Sequence, residues 1–319
     1  MRPEDFHPGR FEPNAKHALD LEFTAAGHAL ALPVVLVRGA RPGRTLVATA
    51  GVHGDEFEGV RAILDTVREL DPAAMTGDFL AVPVANPPAF WNVSRTSPLD
   101  GGNLARVFPG RADGGPTEAI AWHLGHSVIL HAHLYLDLHS AGVRSLMPSM
   151  IGYDASNPAA QAAAFAFGAR VVWAHPTVPP GRTVSEARSR GIPALYTEAR
   201  GAGRIEPADL ELFRRGLLNL LRHLGILPGA PQTVPCKYHL YGDGNIDDSI
   251  SSSHRGFLVP EVELLDAVRK GQRLGMLLDL KGACVEEIPA PRDGLVALIH
   301  ACPVVEPGEP LFLVTGVVG

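Results

Sequence analysis

The chain has 319 residues, 46% of them hydrophobic, with 28 basic against 34 acidic side chains and a formal net charge of −6. That size allows one large core plus a smaller one, so two domains are expected. Mixed-sign acidity without a basic stripe argues against nucleic acid, no run approaches the ~18 apolar residues of a membrane span, and the start Met-Arg-Pro-Glu-Asp-Phe-His lacks the apolar stretch of a secretory leader.

Along the chain, strands are expected at 33–38, 45–50, 79–84, 133–138, 147–151, 170–173 and 194–198, and helices at 56–70, 117–131, 157–168 and 207–224. Such alternation predicts a mixed, largely parallel α/β sheet flanked by helices. Thr45-Leu-Val-Ala-Thr-Ala50 is a short apolar run of buried-strand type between Gly43 and Gly51. After it, Phe57, Val60, Ile63, Leu64, Val67 and Leu70 recur at helical spacing. Between run and helix stand His53 and Glu56, three apart, at the carboxyl end of a strand where open α/β sheets bind ligands. Imidazole plus carboxylate is half of a zinc site, and a catalytic zinc takes a third protein ligand from elsewhere. The other His-x-x-acid pair, His17 and Asp20, lies in a polar stretch and reads as surface.

The span from Pro87 to Gly115 is rich in Pro and Gly, and so long a loop in a compact domain is usually functional or disordered. His123 and His126 on the next expected helix, with His131 and His133 at its end, read as helix-terminus residues rather than a second metal site. In His133-Leu-Tyr-Leu-Asp-Leu-His139-Ser-Ala-Gly142, Leu134, Leu136 and Leu138 alternate with polar positions, which sets Asp137 and His139 on one face. An Asp so placed can accept the other ring N–H of a ligand histidine. Ile192 to Gly201 reads as a short apolar strand ending in Glu198, by itself a surface carboxylate. His175, Tyr153 and Tyr196 are further candidates to line a pocket. Pro207 and Gly225 bracket the last helix, and Leu227 to Thr233 reads as a linker. Domains are therefore expected at 1–227 and 234–319, the second β-rich. Cys236, Cys284 and Cys302, odd in number and scattered, suit reduced thiols in a cytoplasm.

His53-Gly-Asp-Glu56, Leu136-Asp-Leu-His-Ser140 and Leu99-Asp-Gly-Gly-Asn-Leu-Ala-Arg-Val-Phe-Pro-Gly110, in this order, resemble the succinylglutamate desuccinylase/aspartoacylase family, a branch of the zinc carboxypeptidase-like fold. The resemblance implies one Zn²⁺ per chain held by His53, Glu56 and His139, with Asp137 behind a ligand and Glu198 as general base. Such an ion would polarise an amide carbonyl and activate water. Arg95 matches the family arginine aimed at a developing oxyanion, and Arg106 the one that pairs with a substrate carboxylate. Ala105 stands where many relatives carry Asn, so Asn103 is the remaining candidate donor to substrate, and Arg200 adds a cation near Glu198. Val268 to Gly275 and Ala290 to Val296 resemble the barrel-sandwich fold of biotinyl and lipoyl carriers. The place for a carrier lysine falls at Ala283, with Lys281 two residues away, which implies a module that carries no cofactor.

The expected function is a zinc amidohydrolase removing an acyl group from an N-acylated amino acid or related small amine, with a small-molecule substrate and room for a homo-oligomer. A metallocarboxypeptidase acting on small peptides would use the same metal and base. A non-catalytic zinc-binding relative is the third reading, opposed by the joint presence of three ligands and Glu198.

Overall fold

The computed structural model describes residues 1–242 and 244–317. It opens with an antiparallel pair, β1 (Ala15–Ala25) and β2 (His28–Arg38). There follow β3 (Arg41–Ala50), α1 (Glu58–Glu69), β4 (Thr76–Val82), α2 (Pro87–Trp91), α3 (Pro116–Ser127), β5 (Leu134–Leu138), β6 (Ser145–Leu146) and β7 (Met150–Asp154). Then come α4 (Pro158–Phe167), β8 (Val171–His175), α5 (Thr183–Ser189), β9 (Ala194–Glu198) and α6 (Pro207–His223). The strand order is β1-β2-β4-β3-β5-β9-β7-β8, with β3 parallel to β4 and β5, and β5 parallel to β9.

Alternate residues of β3 face opposite sides. Leu46 and Ala48 join the core under α1, α4 and α6, while Val47 joins the one under α3 and α5. Both faces of the sheet are thus covered, as parallel strands require. β5 shares this double cover: although Leu alternates with polar residues along it, all five of its residues are buried, Asp137 and Tyr135 completely.

Other differences from expectation have local causes. β1 escapes a search for apolar runs because Lys16, Ala18, Asp20 and Glu22 alternate with its inward residues, the pattern of an edge strand with one wet face. The helix expected at 117–131 ends at Ser127, where Val128 leaves helical geometry before a single 3₁₀ turn. The helix expected from residue 56 starts at Glu58, so His53 and Glu56 both lie in the connecting loop. α5 has seven residues, too few for a periodic signal.

The remaining strands are β10 (Tyr238–Tyr241), β11 (Ile250–Ser251), β12 (Gly256–Pro260), β13 (Ala267–Val268), β14 (Arg273–Leu278), β15 (Cys284–Pro289), β16 (Gly294–His300), β17 (Val304–Val305) and β18 (Pro310–Val317). One antiparallel layer, β15-β14-β12-β17, stands apart from the main sheet. It packs through Leu258, Leu274, Leu277 and Ile288 onto Val296, Leu311 and Phe312 of β16 and β18. Those two strands extend the main sheet, because β18 pairs with β10 and β10 runs parallel to β8. The segment expected as a linker is tied down by Asn219, whose Oδ1 accepts from Gln232 N at 2.7 Å and whose Nδ2 donates to Gln232 O at 3.0 Å.

α1 lies against the end of β5 at residue 59, which is glycine. A Cβ there would fall 2.6 Å from Leu138 Cβ and 2.8 Å from Leu138 O, the end of β5. Gly59→Val is expected to lower stability by about 1–3 kcal/mol through overpacking. A fall in the urea midpoint with an unchanged slope would register it.

Candidate metal and active site

The central parallel strands β3, β5 and β9 deliver their carboxyl ends side by side, and each ends in a candidate residue or the loop that carries one. His53 and Glu56 leave β3, His139 follows β5, and Glu198 closes β9. His53 Nδ1 lies 2.7 Å from Glu56 Oε1 and His139 Nδ1 lies 2.8 Å from Glu56 Oε2. One donor atom from each of the three residues can be chosen so that all lie within 4.8 Å of one another, a group that could hold a metal ion.

The second nitrogen of each ring is also engaged. His53 Nε2 meets Asn103 Oδ1 at 3.1 Å, and His139 Nε2 meets Asp137 Oδ2 at 2.8 Å. A neutral imidazole has one N–H, yet each ring faces two acceptors. With each Nε2–H given to Asn103 or Asp137, both Nδ1 lone pairs point at the carboxylate, an arrangement relieved by a cation among the three groups. The donor set, two imidazoles and a carboxylate, is one that zinc accepts.

Asp137 is itself held. Its Oδ1 accepts from Thr49 Oγ1 at 2.7 Å, Thr49 Oγ1 lies 2.5 Å from Tyr135 Oη, and its Oδ2 also accepts from Thr183 Oγ1 at the start of α5. Thr49 and Thr183 were not singled out by sequence, because each lies far from Asp137 in the chain and is brought to it by the packing of β3 and α5 beside β5. Asp55, between His53 and Glu56 in the first loop, accepts from Val143 N at 3.2 Å and so fixes the turn after His139. Gly142 is required there, with φ +68° and no room for a Cβ beside Asp55 Oδ2.

Burial opposes charge on every group, and the neighbours decide the outcome. The Glu56 carboxyl is held well below its usual range because the two imidazoles outweigh its desolvation. Burial lowers His53, while for His139 the Asp137 and Glu56 carboxylates overcome burial and raise it strongly. Glu198 is pushed up to about 8, by burial first and then by Glu56. Its Oε2 is shut from solvent without a hydrogen-bond partner among the described residues.

These groups share a cleft of about 1120 Å³ out to its open mouth, lined also by Arg95, Arg106, Tyr153, His175 and Tyr196. Arg95 rests with Nη1 3.5 Å from Glu56 Oε1. Tyr196 Oη donates to His175 Nε2 at 2.8 Å, and His175 Nδ1 donates to Gly242 O at 2.7 Å. Asn103, expected on substrate, has its Oδ1 already committed to His53 and to the Ala105 amide at 3.0 Å. Arg106 faces Asp247. Arg200 is exposed beyond β9, its amide donating to Asp209 Oδ2 at 3.0 Å. The histidines of α3 pack on aromatics, His126 on Trp122 and His123 on Phe23. Asp137→Ala would take the acceptor from a buried imidazole and two hydroxyls, and is expected to cost about 3–5 kcal/mol, read by denaturation in chelator.

The chain is similar to known proteins over nearly its whole length. The catalytic-domain model of the succinylglutamate desuccinylase/aspartoacylase family matches residues 42–224. The chain is 32% identical, over 92% of its length and 88% of the relative's, to an N-alpha-acetyl-L-2,4-diaminobutyric acid deacetylase of Halomonas elongata. Among solved structures, the product-bound ectoine utilization protein EutE (DoeB) of Ruegeria pomeroyi superposes with a TM-score of 0.87 at 29% identity, covering 96% of each chain. A succinylglutamate desuccinylase/aspartoacylase of Rhodobacter sphaeroides gives 0.85 at 27% identity, covering 95% of this chain and 96% of that one.

Proposed function

The chain belongs to the succinylglutamate desuccinylase/aspartoacylase family, and on that premise we propose that it is a zinc-dependent amidohydrolase removing an acyl group from an N-acylated amino acid or related small amine. The hydrolysis of an amide by an acyl-amino-acid deacylase is the family's chemistry; the metal, the base and the substrate are the proposal. What carries it is the convergence of His53 Nδ1, His139 Nδ1 and the Glu56 carboxylate, with both remaining ring nitrogens anchored, in the same cleft as Glu198, whose Oε2 has no hydrogen-bond partner among the described residues.

Zinc held by His53, Glu56 and His139 would supply Lewis acidity to water and to the scissile carbonyl. Glu198 is the general base in this reading. Burial has moved its carboxyl toward neutral pH, where a group can both take a proton and return one to the departing amine. Arg95 supplies positive charge beside the reacting carbonyl. Arg106 recognises a substrate carboxylate. Asp137 keeps His139 oriented with its Nδ1 toward the site. Residues 1–227 form the catalytic unit in this proposal, and 234–319 supply part of its roof through Gly244 and Ile246, which line the cleft.

That roof favours a small acyl amino acid over a peptide, the metallocarboxypeptidase alternative. The deacetylase relative's name points to an acetyl group, and a small acyl group of that kind is proposed here. A reducing, cytoplasmic setting is likewise proposed, on three free cysteines; no helix among the described residues is long and apolar enough to cross a membrane.

Glu198→Gln is expected to keep zinc by metal analysis while turnover of N-acetyl amino acids falls by about 10²–10⁴. Near-normal turnover would remove Glu198 as base. His139→Ala should lose zinc on dialysis, and retention of the full metal content would take it out of the ligand set.

A further inference from the structure

Tyr196 and His175 line the cleft and form a hydrogen-bonded chain with a fixed direction. The Gly242 carbonyl oxygen can only accept, so His175 Nδ1, 2.7 Å from it, carries the ring hydrogen. A neutral imidazole then has only a lone pair at Nε2. Tyr196 Oη, 2.8 Å from that Nε2, spends its hydroxyl hydrogen there. Toward the cleft the oxygen has only lone pairs to offer, so Tyr196 accepts and does not donate.

The fold holds this hydroxyl in place. Gly152 stands opposite Tyr196 across the β7–β9 pairing, and a Cβ on it would fall 2.1 Å from Tyr196 Cε1, so the ring lies against bare backbone. On its other side the His175 ring packs with its centroid 5.4 Å away, and Trp173 stands 5.4 Å from His175 in turn. Burial, and after it the Glu198 carboxyl, push Tyr196 well above the usual phenol range, so it stays a neutral hydroxyl.

Tyr196 stands two residues before Glu198 on β9, and the two side chains therefore leave the same face of the strand. The hydroxyl is close enough to Glu198 and to Arg182 for both charges to act on it. A base that returns its proton to the departing nitrogen must have that nitrogen beside it. On a secondary amide the nitrogen carries one N–H, which loses its water partner on entering the cleft and needs an acceptor there. The cleft arginines Arg95, Arg106, Arg182 and Arg188 only donate. Glu56 and Asp137 are engaged with the imidazoles, and Asp154 with Ser156 and Arg188.

We infer that Tyr196 Oη, held in its accepting orientation by His175, binds the N–H of the scissile amide, and that the site tells a secondary amide from an ester of the same shape by that hydrogen. This rests on the amidohydrolase reading above, with Glu198 as base. The hydrogen stays on nitrogen throughout; its hold on Tyr196 fixes the nitrogen so that the lone pair is open to the Glu198 proton as the C–N bond breaks.

The test compares zinc-loaded wild type with Tyr196→Phe, which keeps the ring and removes the hydroxyl. Two substrates share one carbon skeleton: the N-acetyl-L-amino acid that the wild type turns over best in a side-chain panel, and the O-acetyl ester of the matching L-2-hydroxy acid, in which oxygen replaces the N–H. In the variant kcat/KM is expected to fall about tenfold on the amide, the size of one hydrogen bond, and by less than about twofold on the ester. An equal fall on both overturns the inference, because the hydroxyl would then serve an atom common to the two or merely shape the wall; an unchanged amide rate overturns it as well. His175→Leu leaves the hydroxyl free to turn and is expected to lower the amide-to-ester ratio in the same direction, and an unchanged ratio removes His175 from the inference. Should the wild type hydrolyse no N-acetyl amino acid of the panel, the amidohydrolase reading is what fails. Calorimetric titration of wild type and Tyr196→Phe with N-acetyl-L-alanine and O-acetyl-L-lactate then decides on Tyr196 separately. Tighter binding of the amide that the variant loses supports the inference, and equal binding of the two, or none, refutes it.

Discussion

A single carboxylate between two imidazoles governs this structure. Glu56 gives one oxygen to the Nδ1 of His53 and the other to the Nδ1 of His139, and all three side chains are nearly closed to solvent. Burying charge or unpaired polarity is costly unless partners are supplied. The fold meets that demand from behind, with Asn103 on one ring and Asp137 on the other, and Thr49, Tyr135 and Thr183 in turn around Asp137. The imidazoles therefore have little freedom to turn, and Glu198 lines the same cleft.

Strand order explains how residues distant in sequence reach one place. β3, β5 and β9 are neighbours and parallel, so the chain returns to the same edge of the sheet each time it finishes one of them. The register sets Thr49 beside Asp137 and Leu138 beside Thr197, which aligns the three strand ends. Helix α1 then rests on the sheet at Gly59, and Asp55 ties the loop after β3 to the turn after His139.

Much of this could be read from sequence where a short-range pattern carries it. The apolar run ending at Ala50, the spacing of His53 and Glu56, and the Asp137–His139 pair are local, and the parallel α/β sheet follows from alternating elements. What could not be read depends on long-range contact. Asn103 looks like a loop residue until the turn at 104–106 brings it against His53, and Asp247 lies 141 residues from the arginine it pairs with. Strand β5 alternated Leu with polar residues and so mimicked an exposed strand; its polar residues are buried because they support the site. Glu198 carried no local signal, and only its burial distinguishes it from a surface acid.

The pairing of β10 with both β8 and β18 has a mechanical corollary. Floor and roof of the cleft are stitched into one hydrogen-bonded sheet, so the carboxy-terminal strands cannot swing away as a rigid door without tearing the β8–β10 ladder. Admission of a reactant and escape of its fragments must then use the cleft's open mouth, with the two layers staying joined.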